Sequence, residues 1–263
     1  MVRIGEIEQG ERISDHAEAI WNWASPAGKQ RAIRRAEMIA SAARIQRGNR
    51  ILELGCGTGL FTEHFAARGC EIVAIDVSLH LLRRAKDRGL QEGRVHFEVA
   101  DAEALPFGDG AFDAVVGSSI LHHLDIKRAL AEVYRVLAPQ GRMAFAEPNM
   151  INPQIALQRK VPMIRRWAGE TPEETAFVRW RFARDLALAG LVDVHIRPFD
   201  FLHPAVPESL VSMVSRVGRT LEAIPVVREF SGSLLISARR GDRKNPPTNL
   251  PEIPQEIAKG STR

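Results

Sequence analysis

Glu53 stands two residues before the first of three glycines at alternate positions, in Ile51-Leu52-Glu53-Leu54-Gly55-Cys56-Gly57-Thr58-Gly59-Leu60-Phe61. Glycines so spaced let the backbone approach a ligand to contact, where a Cβ would hold it off. A carboxylate inside an apolar run is costly to bury alone, so Glu53 calls for backbone partners or a cationic ligand. Further chemistry-bearing residues recur along the chain. Asp76 ends Val73-Ala74-Ile75-Asp76, Asp101 opens Asp101-Ala102-Glu103-Ala104-Leu105-Pro106-Phe107, and Ser118 precedes His122-His123. Imidazole is the side chain best suited to taking a proton near neutral pH, so the histidine pair is a candidate general base. Either ring has a plainer alternative, packing or hydrogen bonding within its own loop. Cys56 and Cys70 have neither metal-ligand nor disulfide spacing.

The elements that must position these residues alternate. Apolar runs predict strands near 51–54, 71–75, 94–99, 112–117 and 141–147, with helices near 59–68, 79–88 and 126–137. Asp125 reads as an N-cap. Alternation of this kind builds an open parallel sheet with helices on both faces, and its ligands lie beyond the carboxyl ends of the strands. The glycine turn, Asp76, Asp101 and Ser118 each follow such an end, so they converge on one crevice. A dinucleotide fingerprint needs Gly-x-Gly-x-x-Gly/Ala. Counted from Gly55 the third position is Leu60, and from Gly57 it is Thr62, so an NAD-dependent oxidoreductase is disfavoured.

Glu53-x-Gly55-x-Gly57-x-Gly59, with an acidic Asp76 at a second strand end 17 residues after Gly59, resembles the first motifs of class I methyltransferases that use S-adenosyl-L-methionine. The run Phe112-Asp113-Ala114-Val115-Val116-Gly117-Ser118-Ser119-Ile120-Leu121-His122-His123-Leu124, with Glu132, Arg135-Val136-Leu137, Pro139 and Gly141, narrows it. That run is similar to the ubiquinone/menaquinone-biosynthesis, or type 11, methyltransferases. The resemblance covers roughly residues 48–147. It implies a doubly wound, mostly parallel seven-stranded α/β sheet of Rossmann-like form with a helical lid or insertion. It also implies a cofactor site of Glu53, Gly55, Cys56, Gly57, Asp76, Val77, Asp101, Ala102 and Ser118. In that site Asp76 takes both ribose hydroxyls, Asp101 the exocyclic amine and the Ala102 N–H a ring nitrogen. His122 and His123, with His123 slightly favoured for the cleft, would serve an oxygen or carbon acceptor. On the residues alone, Asp76 and Asp101 remain open to a capping role at helix starts.

The flanks are less legible. Residues 1–47 are expected to form a helical cap, with Ser25-Pro26 opening a helix to about Arg44; its Lys29 or Arg31 is a possible contact for the methionine carboxylate. Residues 148–240 would complete the sheet and carry acceptor-lid insertions, a helix from Phe182 to Leu191, a strand Val192 to Pro198 and a last antiparallel strand Gly232 to Ala238. Within them Arg165, Arg166, Trp167 and Trp180 are candidates for an anionic, aromatic-walled acceptor site, a solvated helix turn being the plain alternative. Leu210, Val214, Val217, Leu221 and Ile224 form a helical stripe expected to pack into the core, membrane contact being the alternative. Residues 241–263, proline-rich and aperiodic, are expected to be disordered.

At 263 residues, 45% hydrophobic and 26% charged, the chain has the composition of a soluble globular protein. No apolar run reaches membrane-spanning length and the first residues are too charged for a signal peptide, so the cytoplasm is the expected compartment. The net charge of +4 is concentrated in residues 12–50 and 150–184, as solvated helix faces or toward anionic ligands or a membrane surface. Asn/Asp-Pro-Pro-Tyr/Phe/Trp after the fourth strand and a Pro-Cys nucleophile are both absent, which argues against nucleic-acid substrates. A small-molecule or lipid-like acceptor is expected, with a non-enzymatic cofactor-binding or partner-binding module as the alternative. Nothing in the sequence addresses oligomeric state.

Overall fold

The computed structural model describes residues 4–90, 93–160 and 177–242. Its centre is one seven-stranded sheet in the order β3-β2-β1-β4-β5-β7-β6. The strands are β1 (Arg50–Leu54), β2 (Glu71–Asp76), β3 (Val95–Val99), β4 (Phe112–Ser118), β5 (Leu137–Pro148), β6 (Leu191–Phe199) and β7 (Ser233–Arg240). β1 to β5 run parallel, and β7 lies antiparallel between β5 and β6. The chain winds outward from β1 to β3, then restarts at β4 on the other side of β1. Strand order therefore reverses between β1 and β4, which opens a crevice at their carboxyl ends.

Alternate strand residues feed two separate cores. Leu52, Leu54, Val115, Met143 and Phe145 pack with Leu130, Val133 and Val136 of α6 (Ile126–Val136) and with Phe182 and Leu186 of α8 (Arg179–Leu188). Ile51, Ile72, Ala114, Val116, Ala144 and Ala146 pack on the other face. Their partners are Ala32, Ala36 and Ile39 of α3 (Pro26–Ala42) and Phe61 and Phe65 of α4 (Leu60–Ala66). Both expected caps form: Ser25 Oγ accepts from Gly28 N at 3.0 Å. Asp125 accepts from Lys127 N and Arg128 N at 3.0 and 3.2 Å.

Three features matter for the site. Within residues 1–47, expected as a helical cap, residues 4–20 form α1 (Ile4–Ile13) and α2 (Ala17–Ile20), a strap that crosses α5 (Leu79–Lys86) and the glycine turn. Gly10 permits that crossing, since a Cβ there would lie 2.4 Å from Ser78 Oγ. β5 begins at Leu137, four residues earlier than expected, because the chain leaves α6 directly into pairing with Phe112. The stripe on α9 (Glu208–Glu222) is not all core. Val211, Ser215, Gly218 and Glu222 are buried, whereas Leu210, Val217 and Ile224 are 43%, 52% and 45% exposed. The buried face is polar enough to serve α3 instead: Ser215 accepts from Gln30 and Glu222 from Arg34. α7 (Pro153–Lys160), α10 (Pro225–Arg228) and a single 3₁₀ turn, Leu121–His123, complete the described helices. Among the described residues, no helix is long and apolar enough to cross a membrane. The expected disorder of 241–263 falls, from 243 on, outside the described residues.

Candidate active site

The crevice is a cavity of about 380 Å³ lined by the carboxyl ends of β1, β2 and β4 and roofed by the strap. Gly55, Cys56, Gly57, Asp76, Val77, Ala102, Ser118, His122 and His123 all line it, so nine of the residues named from sequence come together. Glu53 and Asp101 are not in its lining.

The turn after β1 owes its shape to positive φ at Gly55 (63°) and Gly57 (54°), which a side chain rarely adopts. The neighbours that exclude a Cβ are the protein's own. At Gly55 it would lie 2.6 Å from the Ile120 side chain, and at Gly57 it would lie 3.1 Å from the Trp21 ring. The bare turn thus serves close packing of strap and β4 loop as well as any ligand.

Asp76 fixes that turn. Its Oδ2 accepts from Gly57 N and its Oδ1 from Ser78 N, both at 2.9 Å. Burial pushes its carboxyl above the usual range, against those two N–H donors. It does not cap α5, which Ser78 does through Leu81 N at 3.4 Å. Glu53, 2% exposed, points to the α3–α4 face, and its Oε2 is a buried oxygen without a hydrogen-bond partner. Burial raises its carboxyl to about 8, an effect the neighbouring Thr62 hydroxyl offsets only in part. Cys56 is a buried thiol raised well above its usual range by the same desolvation. Asp101 accepts from Glu103 N at 2.9 Å and shapes the segment that presents Ala102. That segment is pinned from below: Glu132 accepts from Leu105 N at 2.8 Å, and Arg135 donates to the Leu105 and Phe107 carbonyls at 3.0 and 2.6 Å.

The histidines have different surroundings. His122 Nδ1 lies 2.7 Å from Glu147 Oε2. The other oxygen of Glu147 accepts from Ile120 N and Leu121 N at 3.0 and 2.9 Å. Burial alone would raise the Glu147 carboxyl, but His122 and the two N–H groups outweigh it and hold it below the ordinary range. An ionised Glu147 fixes the His122 tautomer with the proton on Nδ1, so Nε2 carries the lone pair. His123 Nδ1 instead faces Glu6 Oε1 of the strap at 3.1 Å, and the two rings sit 4.1 Å apart.

Glu147 was legible only as the end of the fifth strand, and nothing local marks its partnership with a residue 25 positions away. Glu6 of the strap, and Trp21 and Trp23 just beyond its end, also line the cavity and were not among the expected site residues. Neither Lys29 nor Arg31 does; Arg31 is bound to Asp200 at 2.8 Å. The strap is tied down at Glu18, which accepts from Thr58 Oγ1 at 2.8 Å and from Arg88. Arg88 also donates to the Thr58 carbonyl at 2.6 Å. Trp180 is half-buried on α8, outside the cavity lining, with the Arg179 guanidinium 5.8 Å from its ring centroid. Arg165, Arg166 and Trp167 lie outside the described residues.

Residues 52–145 match a family model described as a methyltransferase domain. A demethylmenaquinone methyltransferase of Renibacterium salmoninarum is 39% identical over 111 residues, 42% of this chain and 46% of that protein. A malonyl-[acyl-carrier protein] O-methyltransferase of Enterobacter lignolyticus is 30% identical over 161 residues, 60% of each chain. The chain spans about half the length of the curated relatives it matches. Among solved structures, Haemonchus contortus phosphoethanolamine N-methyltransferase 2, in complex with S-adenosyl-L-methionine, superposes with a TM-score of 0.59 at 16% identity. That match covers 86% of this chain and 56% of that one, and at such identity it concerns the fold alone.

Proposed function

We propose that this chain, whose residues 52–145 match a methyltransferase-domain family model, transfers a methyl group from S-adenosyl-L-methionine to a small-molecule acceptor. The observation that carries the reading is one cavity with two unlike walls. On one wall a half-buried carboxylate, Asp76, orders the glycine turn; on the other, His122 is oriented by Glu147.

The first wall fits the cofactor. Asp76 would hold the ribose hydroxyls with the lone pairs not given to Gly57 and Ser78, a role its partial desolvation makes stronger. Val77 and Ala102 would flank the nucleoside, and Gly55 and Cys56 the amino-acid end. Glu53 and Asp101 act from behind the cavity, Glu53 beneath the turn and Asp101 through the segment that carries Ala102. When bound, the cofactor supplies a sulfonium-activated methyl, so alignment contributes the larger part of the rate, worth about 7–11 kcal/mol in well-oriented reactions.

The second wall fits an acceptor that must lose a proton. His122 is the base we favour over His123, because its Nδ1–H is committed to an ionised, fully buried carboxylate. Glu147 would hold the ring in place and stabilise the imidazolium formed as Nε2 takes the proton. Such general-base help contributes about 10²–10⁴-fold. His123 would link the base loop to the strap through Glu6, and the strap, with Trp21 and Trp23, would keep water from the cavity. The names of the relatives, acting on a demethylmenaquinone and on a malonyl-[acyl-carrier protein], support a lipid-like or acidic acceptor.

Isothermal titration tests the cofactor half. S-adenosylhomocysteine and S-adenosyl-L-methionine should bind and NAD should not; binding of NAD alone would sink the reading.

A further inference from the structure

We propose that Ser118 and Ser119, backed by Arg35, form an oxyanion-binding wall in this cavity. The acceptor is then an oxygen acid (a carboxylic acid, phenol or enol) held there as its anion. The proposal rests on the methyl-transfer reading above.

Arg35 lies on α3, 3% exposed, behind the cavity and not in its lining. Its Nη1 donates to Ser119 Oγ at 3.0 Å and to Ser118 Oγ at 3.3 Å, and its Nη2 donates to Ser233 Oγ. Its Nε is buried without a partner. The nearest carboxylate, Asp200, is 4.0 Å away and already bound by Arg31 at 2.8 Å. Burial and the Arg31 charge bring the guanidinium down to about 10, which leaves it a cation at neutral pH. The Asp200 and Glu147 charges and the faces of Trp23 and Phe199, 5.2 and 5.8 Å from the guanidinium carbon, offset part of its burial. Among the described residues no carboxylate hydrogen-bonds it directly, so a further anion in front of the serines would be favoured.

The two serines are where that charge would sit. Both line the cavity. Each oxygen already accepts from Arg35, so each hydroxyl hydrogen turns away from the guanidinium and is available as a polarised donor. Two adjacent hydroxyl donors in front of one cation suit an oxyanion, whose oxygen can accept from both. Ser119 also holds a φ of 57°, with its N–H given to the Ala146 carbonyl at 2.8 Å. A serine in the left-handed region is strained, and such strain concentrates where geometry is functional.

His122 lines the same cavity, beyond the strand end that carries the serines. The acceptor's O–H bond breaks with its proton passing to Nε2 of His122, and the electron pair stays on oxygen, held by the two hydroxyls. The cofactor's own carboxylate is the rival source of the same chemistry, and the test separates the two.

The full chain, saturated with S-adenosylhomocysteine, is titrated with 4-nitrophenol at mildly acidic pH, where the free probe is largely neutral. The wild type should show a saturable phenolate absorption band. Ser119→Gly, at the serine outside the expected cofactor set, should remove most of the band and weaken the probe about tenfold, leaving S-adenosylhomocysteine affinity within about twofold, and adding Ser118→Ala should abolish the band. Glycine suits the positive φ at 119, so the loop is kept. Arg35→Lys, which retains the charge but not the fork, should give an intermediate loss. If the wild type binds S-adenosylhomocysteine yet shows no phenolate band, the oxyanion wall is wrong. It is equally wrong if Ser119→Gly loses S-adenosylhomocysteine and keeps the probe, since the wall then serves the cofactor. Failure of the wild type to bind S-adenosylhomocysteine overturns the reading beneath it.

Discussion

Replacing Glu53 with Gln should make the protein more stable at alkaline pH and leave it nearly unchanged at acidic pH. Glu53 is fully desolvated beneath the glycine turn and its Oε2 has no hydrogen-bond partner. Its carboxyl rises from 4.5 to about 8, chiefly by burial, with Thr62 opposing and the Asp76 charge adding. Between those two values the folded chain keeps a proton that the unfolded chain has lost. Unfolding then releases a proton, so rising pH favours the unfolded state. The contribution is fully present below 4.5, declines as pH rises and is spent by about 8. At 1.36 kcal/mol per pH unit this amounts to about 4 kcal/mol between pH 5 and pH 9. For a chain of this size that corresponds to about 10 °C in Tm. Glutamine fills the same volume and does not titrate, so the loss should vanish in Glu53→Gln. Urea unfolding followed by tryptophan fluorescence at pH 5, 7 and 9 measures it. Titrating groups that do not sense Glu53 are common to both chains and cancel in the comparison, and the coupled neighbours Asp76 and Cys56 contribute the smaller remainder. A stability difference that stays constant across pH would refute the reasoning, because Glu53 would then titrate alike in both states.

Asp76→Asn should weaken S-adenosylhomocysteine at least about tenfold, from the loss of charge-assisted bonds worth about 1.5–3 kcal/mol each; unchanged titration heats would remove Asp76 from the ribose. Glu147→Gln should lower the methyl-transfer kcat about 10²-fold or more while S-adenosylhomocysteine affinity holds. A fall in affinity with kcat intact would instead make Glu147 structural. Gly10→Ala drives a Cβ into Ser78, 2.4 Å away. It should lift the strap and raise hydrogen exchange of its amides, and protection equal to wild type would show that the strap does not depend on that crossing.

Much of the fold was legible because it is periodic. Short, nearly continuous apolar runs mark β1, β2 and β4, and local side-chain oxygens that accept from nearby N–H groups mark the starts of α3 and α6. The strand-end residues were also legible, since topology brings Gly57, Asp76, Ala102 and Ser118 together without regard to side-chain detail. Partnerships between distant residues were not. Arg34 and Arg35 belong to the basic stretch of residues 12–50, yet Arg34 reaches an acid on α9 while Arg35 turns inward to the end of β4 and to β7. The His122–Glu147 pair joins two strand ends that only the β4–β5 register makes neighbours. The strap has no strong apolar face, because ion pairs and one bare glycine hold it in place. Val217 and Leu210 misled for the opposite reason: helical spacing identifies a stripe but not which side of the helix meets the protein.

The central claim is methyl transfer from S-adenosyl-L-methionine through a base on the β4 loop. Incubating the chain with methyl-labelled S-adenosyl-L-methionine and a small-molecule cell extract tests it most directly, with His122→Ala run beside the wild type. The account predicts label in an extract component with the wild type, and a loss of about 10²-fold or more with His122→Ala, whose S-adenosylhomocysteine affinity is unchanged. Cofactor binding by both chains with no label transferred by the wild type would contradict it, and would leave a protein that binds the cofactor without using it.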